Sequence, residues 1–176
     1  MNIVLHVGHH GRGTGASFSG RDEVDIATIQ AETVCAALHS AGHTVLFIPS
    51  KKERYIDIQK VINASVFPVW SLYIQFHINS SKVINLDNDH GLIFYDRRSS
   101  VGPIIAQAIA TSLRVNLKYN CKAISDDSKG YERVHPCIQS VRPVAILLEP
   151  HFIQVQRDEI EVGKAIAGGI LKWLNS

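Results

Sequence analysis

A chain of 176 residues, 45% of them apolar and with a formal net charge of +2, fits one folded domain with room for a substantial core. The small charge, with no dense basic cluster or aromatic-laced basic stripe, excludes a nucleic-acid binder and allows only a loose attraction to an anionic polymer. Three widely spaced cysteines, Cys35, Cys121 and Cys137, exclude a disulfide-stapled scaffold and a close-paired cysteine knuckle, and no apolar run approaches the ~20 residues of a membrane span.

Met1 to Val7 is apolar but too short for a signal peptide, and it runs straight into a folded pattern. Synthesis in a cytoplasm is therefore expected. Ile3 to Val7 reads as a buried strand stopped by Gly8. Gly8 to Gly20 holds five glycines and reads as a long loop. Asp22 or a neighbour can cap the next helix, where Val24, Ala27, Ala31, Val34, Leu38 and Ala41 recur at spacings of three and four. Gly42 ends it as a C′ residue. Thr44 to Ile48 is a second strand, Ile56 to Ala64 a short helix, and Leu72 to Ile78 a strand with Tyr73, Gln75 and His77 on one side. Gly91 to Tyr95 is a strand, Ile104 to Leu117 a helix, and Cys121 to Ile124 a short edge strand. Ser125 to Gln139 reads as a polar surface loop near the cleft. Val144 to Leu148 is a continuous apolar run, the mark of a central strand covered on both faces. The last helix runs from Glu159 to Leu174, with Ile160, Gly163, Ala167, Ile170 and Leu174 on its inner side.

Strands alternating with helices predict an α/β fold: a single twisted, mostly parallel mixed sheet with helices on both faces, in one domain over residues 1–176. Sites in such sheets form beyond the carboxyl ends of the strands. His9, His77 and Glu149 all fall there. A catalytic zinc site takes three protein ligands and one open position, and two histidines with a glutamate are one standard set. His9, from the loop after the first strand, Glu23, from the first turn of the first helix, and His77, from the end of a central strand, supply it. They are separated by 14 and then 54 residues, which excludes the compact His-Glu-x-x-His helix and leaves the fold to bring them together. Glu149 ends the most apolar strand. A carboxylate there needs a task or a partner, and partial desolvation raises its proton affinity, which suits a group that takes a proton from water and returns it to a leaving amine.

Each residue also has a plainer role. His6, His10, His39, His43, His90, His135 and His151 read as structural or exposed. Glu23 alone reads first as a helix N-terminal carboxylate favoured by the dipole. Glu149 alone is equally half of an ion pair with Arg12 or Arg142.

The ordered set resembles the zinc-dependent N-acetylmuramoyl-L-alanine amidases of the Amidase_3 type, found in autolysins, spore-lytic enzymes and phage endolysins. The resemblance is carried by Ile3-Val4-Leu5-His6-Val7-Gly8-His9-His10-Gly11, where the family has a strand and Gly-His-x-Gly. Glu23 then leads a helix ending at Gly42-His43-Thr44-Val45. Gln75-Phe76-His77-Ile78-Asn79 stands for the family's Ser-x-His-x-Asn, and Ile146-Leu147-Leu148-Glu149-Pro150-His151-Phe152 for its apolar strand and catalytic glutamate, with Pro143 ahead of it. Departures are His6-Val7 in place of Asp-Pro, Gln75 in place of serine, and no arginine near Gln59 to Ala64.

The resemblance implies a Zn²⁺ cofactor on His9, Glu23 and His77, Glu149 as the catalytic proton carrier, and peptidoglycan as substrate, cut between N-acetylmuramic acid and L-alanine. It implies action on the bacterial wall, reached by an endolysin through a membrane pore, and a wall-binding module in a longer parent protein. A zinc carboxypeptidase on stem peptides and a non-catalytic wall-binding module are the alternatives. A nucleotide-binding domain is disfavoured, because Gly8, Gly11 and Gly13 do not match the Gly-x-Gly-x-x-Gly spacing.

Overall fold

The computed structural model describes residues 1–50, 55–65, 69–81, 89–131 and 134–176. In chain order the elements are β1 (Asn2–Val7), β2 (Ser17–Phe18), β3 (Arg21–Asp22), α1 (Glu23–Ser40), β4 (Thr44–Ile48), α2 (Tyr55–Ala64), β5 (Leu72–Phe76), β6 (His90–Tyr95), α3 (Gly102–Leu117), β7 (Asn120–Ser125), α4 (His135–Gln139), β8 (Val144–Glu149) and α5 (Glu159–Leu174). Six strands form one sheet in the order β4-β1-β5-β8-β6-β7. Neighbours pair in parallel except β6 with β8. The expected mostly parallel mixed sheet is present.

Alternation along the strands divides the core into two layers. Ile3, Leu5, Val7, Ile74, Phe76, Ile146 and Leu148 face α1, α3 and α5. Val4, Tyr73, Leu92, Phe94, Ala145 and Leu147 face the other way, against Ile62 of α2 and Ile138 of α4. Helices thus cover both faces. Close packing of α3 on α5 depends on Gly169, where a Cβ would fall 2.6 Å from the Ile109 backbone.

Several boundaries differ from expectation. The strand read through Ile78 ends at Phe76, although pairing continues: His77 N–H donates to Leu148 O at 2.9 Å and Asn79 N–H to His151 O at 3.0 Å. The glycine-rich stretch is not all loop, because β2 and β3 pair as an antiparallel ribbon just before α1. The polar stretch from Ser125 to Gln139 contains α4, seated by apolar Ile138; Glu132 and Arg133 within it lie outside the described residues. Ile160, assigned to the inner side of the last helix, is 51% exposed. It sits in an acidic first turn capped by Asp158, and the inner stripe is carried by Val162, Ile166 and Ile170 instead. Ala41 is the exposed C-cap of α1, one residue past the helix. Among the described residues no helix is long and apolar enough to cross a membrane.

Candidate metal centre and catalytic cleft

β1, β5 and β8 run in the same direction, so their carboxyl ends meet at one edge of the sheet. His77 follows β5 directly, and Glu149 is the last residue of β8. Gln75 pairs with Leu147, so two residues on, His77 and Glu149 stand side by side on the face that carries α2 and α4. The residue next to His77 on the other side is Gly8. A Cβ there would fall 2.2 Å from His77 Cε1. The imidazole rests on bare backbone, so a residue with any side chain would displace the ring.

His9 comes next, in the left-handed region with φ of 67°. This backbone conformation is uncommon outside glycine, although asparagine, aspartate and histidine adopt it more readily than other residues, and it turns the imidazole back over the strand ends. The chain is held there by Asp22, whose carboxylate accepts from Gly13 N–H at 2.9 Å and caps α1 through Val24 N–H at 2.9 Å. That cap starts α1 at Glu23 and fixes its carboxylate at the mouth of the sheet. One Glu23 oxygen accepts from Ile78 N–H at 2.9 Å and the other from Ala16 N–H at 2.8 Å.

Three donor atoms converge. His9 Nε2 lies 2.7 Å from Glu23 Oε1, His77 Nδ1 lies 3.3 Å from the same oxygen, and the two imidazole nitrogens are 3.1 Å apart. Burial would push the Glu23 carboxyl up, but hydrogen bonds with His77 and His9 outweigh it and hold the group far below the usual carboxylate range. Two imidazole nitrogens and an ionised carboxylate are the donor set of a catalytic zinc site. Ligand atoms around a tetrahedral ion at 2.0–2.2 Å stand roughly 3.3–3.6 Å apart, so the cluster needs only small outward movements to hold a cation. The residues fit a metal ion.

The same three side chains line a cavity of about 330 Å³ together with Cys137, Leu147 and Glu149. Glu149 is 6% exposed. Its charge reaches Cys137, whose thiol is pushed up to about 11, by burial first and by the Glu149 carboxylate second. Arg12, one of the partners considered for Glu149, instead pairs with Asp25 at 3.0 Å on the surface. Thus His9, Glu23, His77 and Glu149 share one cleft. His6 and His151 are fully buried, His10 and His39 are exposed, and His90 packs edge-on against Phe152.

Two supporting networks were not read from the sequence. Arg21 donates to Ile153 O and Val155 O, both at 2.7 Å, and to Glu159 Oε1 at 2.8 Å. Glu159 also meets His151 Nε2 at 2.9 Å and Gln30 Nε2 at 2.7 Å. This network ties the segment after Glu149 to α1 and α5. On the opposite face, His6 Nδ1 lies 2.6 Å from the Tyr73 hydroxyl. Burial pulls the His6 imidazole down to about 4, and repulsion from His77 and His10 acts in the same direction. A histidine inside an apolar strand, and another two residues after a buried glutamate, were the available signals.

Residues 3–170 match the model of the N-acetylmuramoyl-L-alanine amidase family. No curated protein matches the chain. Among solved structures, the fold is similar to the N-acetylmuramoyl-L-alanine amidase AmiC2 of Nostoc punctiforme, at TM-score 0.75 and 18% identity over 100% of this chain and 98% of that one. It is similar to the catalytic domain of the CD27L endolysin targeting Clostridia difficile, at TM-score 0.76 and 20% identity over 98% and 97%. An N-acetylmuramoyl-L-alanine amidase from Clostridium difficile 630 gives TM-score 0.76 and 19% identity over 99% and 97%. The chain belongs to the N-acetylmuramoyl-L-alanine amidase family.

Proposed function

We propose that this amidase cuts the amide between N-acetylmuramic acid and L-alanine in peptidoglycan with Zn²⁺ held by His9, Glu23 and His77, and with Glu149 carrying the proton. The observation behind this reading is the convergence of two imidazole nitrogens and one carboxylate oxygen in the cavity that Glu149 also lines. When bound, the ion supplies Lewis acidity, stabilising charge on the amide oxygen and easing loss of a proton from water.

The remaining steps belong to the protein. Glu149 takes the water proton on its carboxylate and delivers it to the nitrogen of L-alanine as the bond breaks. Ile78 and Ala16 N–H hold both Glu23 oxygens, so that carboxylate cannot swing toward substrate. The bare Gly8 backbone sets the plane of the His77 ring. Leu147 and Val134 wall the cavity with carbon, which limits competing water and strengthens the electrostatics inside. Action at the bacterial wall fits a peptidoglycan substrate. Synthesis in a cytoplasm and a wall-binding companion in a longer parent are part of the same proposal.

The test is digestion of purified wall with metal content measured on the same preparation. New amino groups on L-alanine, with about one zinc per chain, are expected. Release of single amino acids from stem-peptide ends would favour a carboxypeptidase, and wall binding without new amino groups would favour a binding module.

A further inference from the structure

A second cavity, of about 440 Å³, is built on β6, the strand beside β8, and on its neighbour β7. β6 runs antiparallel to β8, so its amino end lies at the edge where β8 ends, and β7, parallel to β6, starts there too. Leu92 pairs directly with Glu149. Cross-strand partners share a face and sit about 4.5–5.5 Å apart. His90 pairs with Asn120 and Leu92 with Lys122, so all four stand on the face that carries Glu149. They line the cavity with Ile124 and Tyr131. Tyr131 O accepts from Val134 N–H at 2.9 Å, and Val134 lines the catalytic cavity. Glu149–Leu92 and Val134–Tyr131 therefore link the linings of the two cavities.

Charge decides what fits. Asp89 also lines the cavity, but its carboxylate is engaged by the Arg157 guanidinium and by Phe152 N–H at 3.2 Å. Arg157 in turn stacks over Tyr119 at 3.9 Å. The Asp89 charge is met within the protein. Among the described residues no carboxylate pairs with the Lys122 ammonium. Asn120 and Tyr131 add an amide and a hydroxyl to the lining. The cavity thus offers the Lys122 cation with His90, Asn120 and Tyr131 around it, beside an apolar floor of Leu92 and Ile124. Of the two halves of the substrate, N-acetylated sugars are neutral and the stem peptide carries free carboxylates.

We propose, resting on the amidase activity assigned above, that this cavity is the subsite for the stem peptide and that Lys122 binds one of its free carboxylates. Its orientation follows: the leaving L-alanine amine points past Glu149 toward β6 and β7, which puts the departing peptide beside the group that protonates it. Lys122 is a specificity residue, and it does not touch the reacting atoms.

The test compares a muramoyl peptide with free stem carboxylates against the same compound with those carboxylates converted to carboxamides. The wild-type protein is expected to favour the acid through KM by about tenfold, the worth of one charge-assisted hydrogen bond. Lys122→Ala erases the preference and Lys122→Arg keeps it. Lys172→Ala, which removes a cation from α5, keeps it too and separates a local contact from overall charge. Lys122 is exposed, so these variants fold. A wild-type protein indifferent to the carboxylates, or a preference that survives Lys122→Ala, overturns the proposal. Calorimetry with the free acidic stem peptide, where Lys122→Ala is expected to weaken binding about tenfold, reads the subsite without turnover. Tenfold weakening there with neither compound cleaved would retain the carboxylate subsite and refute the amidase activity.

Discussion

The two faces of the sheet are built from different chemistry. Under α1, α3 and α5 the strands β1, β5 and β8 present only carbon, with Ile3, Leu5, Ile74, Phe76, Ile146 and Leu148 all fully buried. Under α2 and α4 the same strands bury His6, Tyr73, Gln75 and, at their ends, Glu149, while α2 adds Gln59. The first face makes the fold stable; apolar burial is worth about 25 cal/mol per Å² and asks no geometry of its partners. The second accepts the cost of desolvating polar groups, and that is where the cleft opens. His6 Nε2 and Gln75 Oε1 have no hydrogen-bond partner among the described residues, a condition that the aliphatic side chains on the other face of these strands cannot meet. One strand can serve both because alternate residues point to opposite faces: in β8, Ile146 and Leu148 anchor the core while Leu147 and Glu149 line the cavity.

The contrast is sharpest at Glu149. Glu149→Gln is expected to lower kcat by about 10²–10⁴, the range for loss of a general acid–base, with zinc content and melting temperature close to wild type. Full turnover with zinc retained would remove Glu149 from the chemistry. His77→Ala is expected to weaken zinc binding by more than the roughly 10–100-fold that loss of an outer-shell partner costs, measured by dialysis against a chelator. Unchanged metal content would strike His77 from the ligand set.

The opposite face should give the inverse result. Ile74→Ala removes a fully buried side chain and is expected to cost about 2–5 kcal/mol of unfolding free energy, while kcat and metal content of the remaining folded protein stay near wild type. A large kcat loss with unchanged stability would mean that the two faces are not divided in this way.

His6 tests the polar layer by titration. Its folded pKa of about 4 lies below the ordinary histidine value of 6.5, so between those two pH values the unfolded chain binds the extra proton. Stability is full above pH 6.5 and falls as the pH drops toward 4, by about 3 kcal/mol in total at 1.36 kcal/mol per unit. Urea titrations across that window should show the loss in the wild type and a flatter profile in His6→Asn. Equal slopes would place the acid sensitivity elsewhere.

The smallest expected effect is on α5. Gly168 is exposed in mid-helix, and an added Cβ meets only Ser112 Oγ at 3.4 Å. Gly168→Ala should stabilise the protein by about 0.5–1 kcal/mol without changing kcat. A drop in activity would show that the α3–α5 layer reaches the cleft.

Residues that repeat locally were legible from sequence. The apolar run from Val144 to Leu148, the helical spacing from Val24 to Leu38 and the Gly42 stop each depend on neighbours within one or two turns, and the structure has them. Two kinds of feature were not legible. α4 and the β2–β3 ribbon are too short for a periodic signal. Ile160 fits the apolar stripe by spacing yet is exposed, because which side of a helix is buried depends on what packs against it.

The cleft divides in the same way. The glycines and histidines at strand ends, and a carboxylate closing an apolar strand, identify the candidates by type, since burying a charge without a purpose is costly. Sequence spacing does not say that residues 14 and 54 positions apart bring their donor atoms within 2.7–3.3 Å. It does not say that Glu23 is both helix-dipole carboxylate and candidate ligand, or that Glu149 lines the same cavity as His9, Glu23 and His77. Strand register and the Asp22 cap settled those points. Hydrophobic pattern is encoded residue by residue along the chain, whereas the meeting of distant side chains exists only after the backbone hydrogen bonds of the sheet have fixed which strands are neighbours and which of their residues lie level.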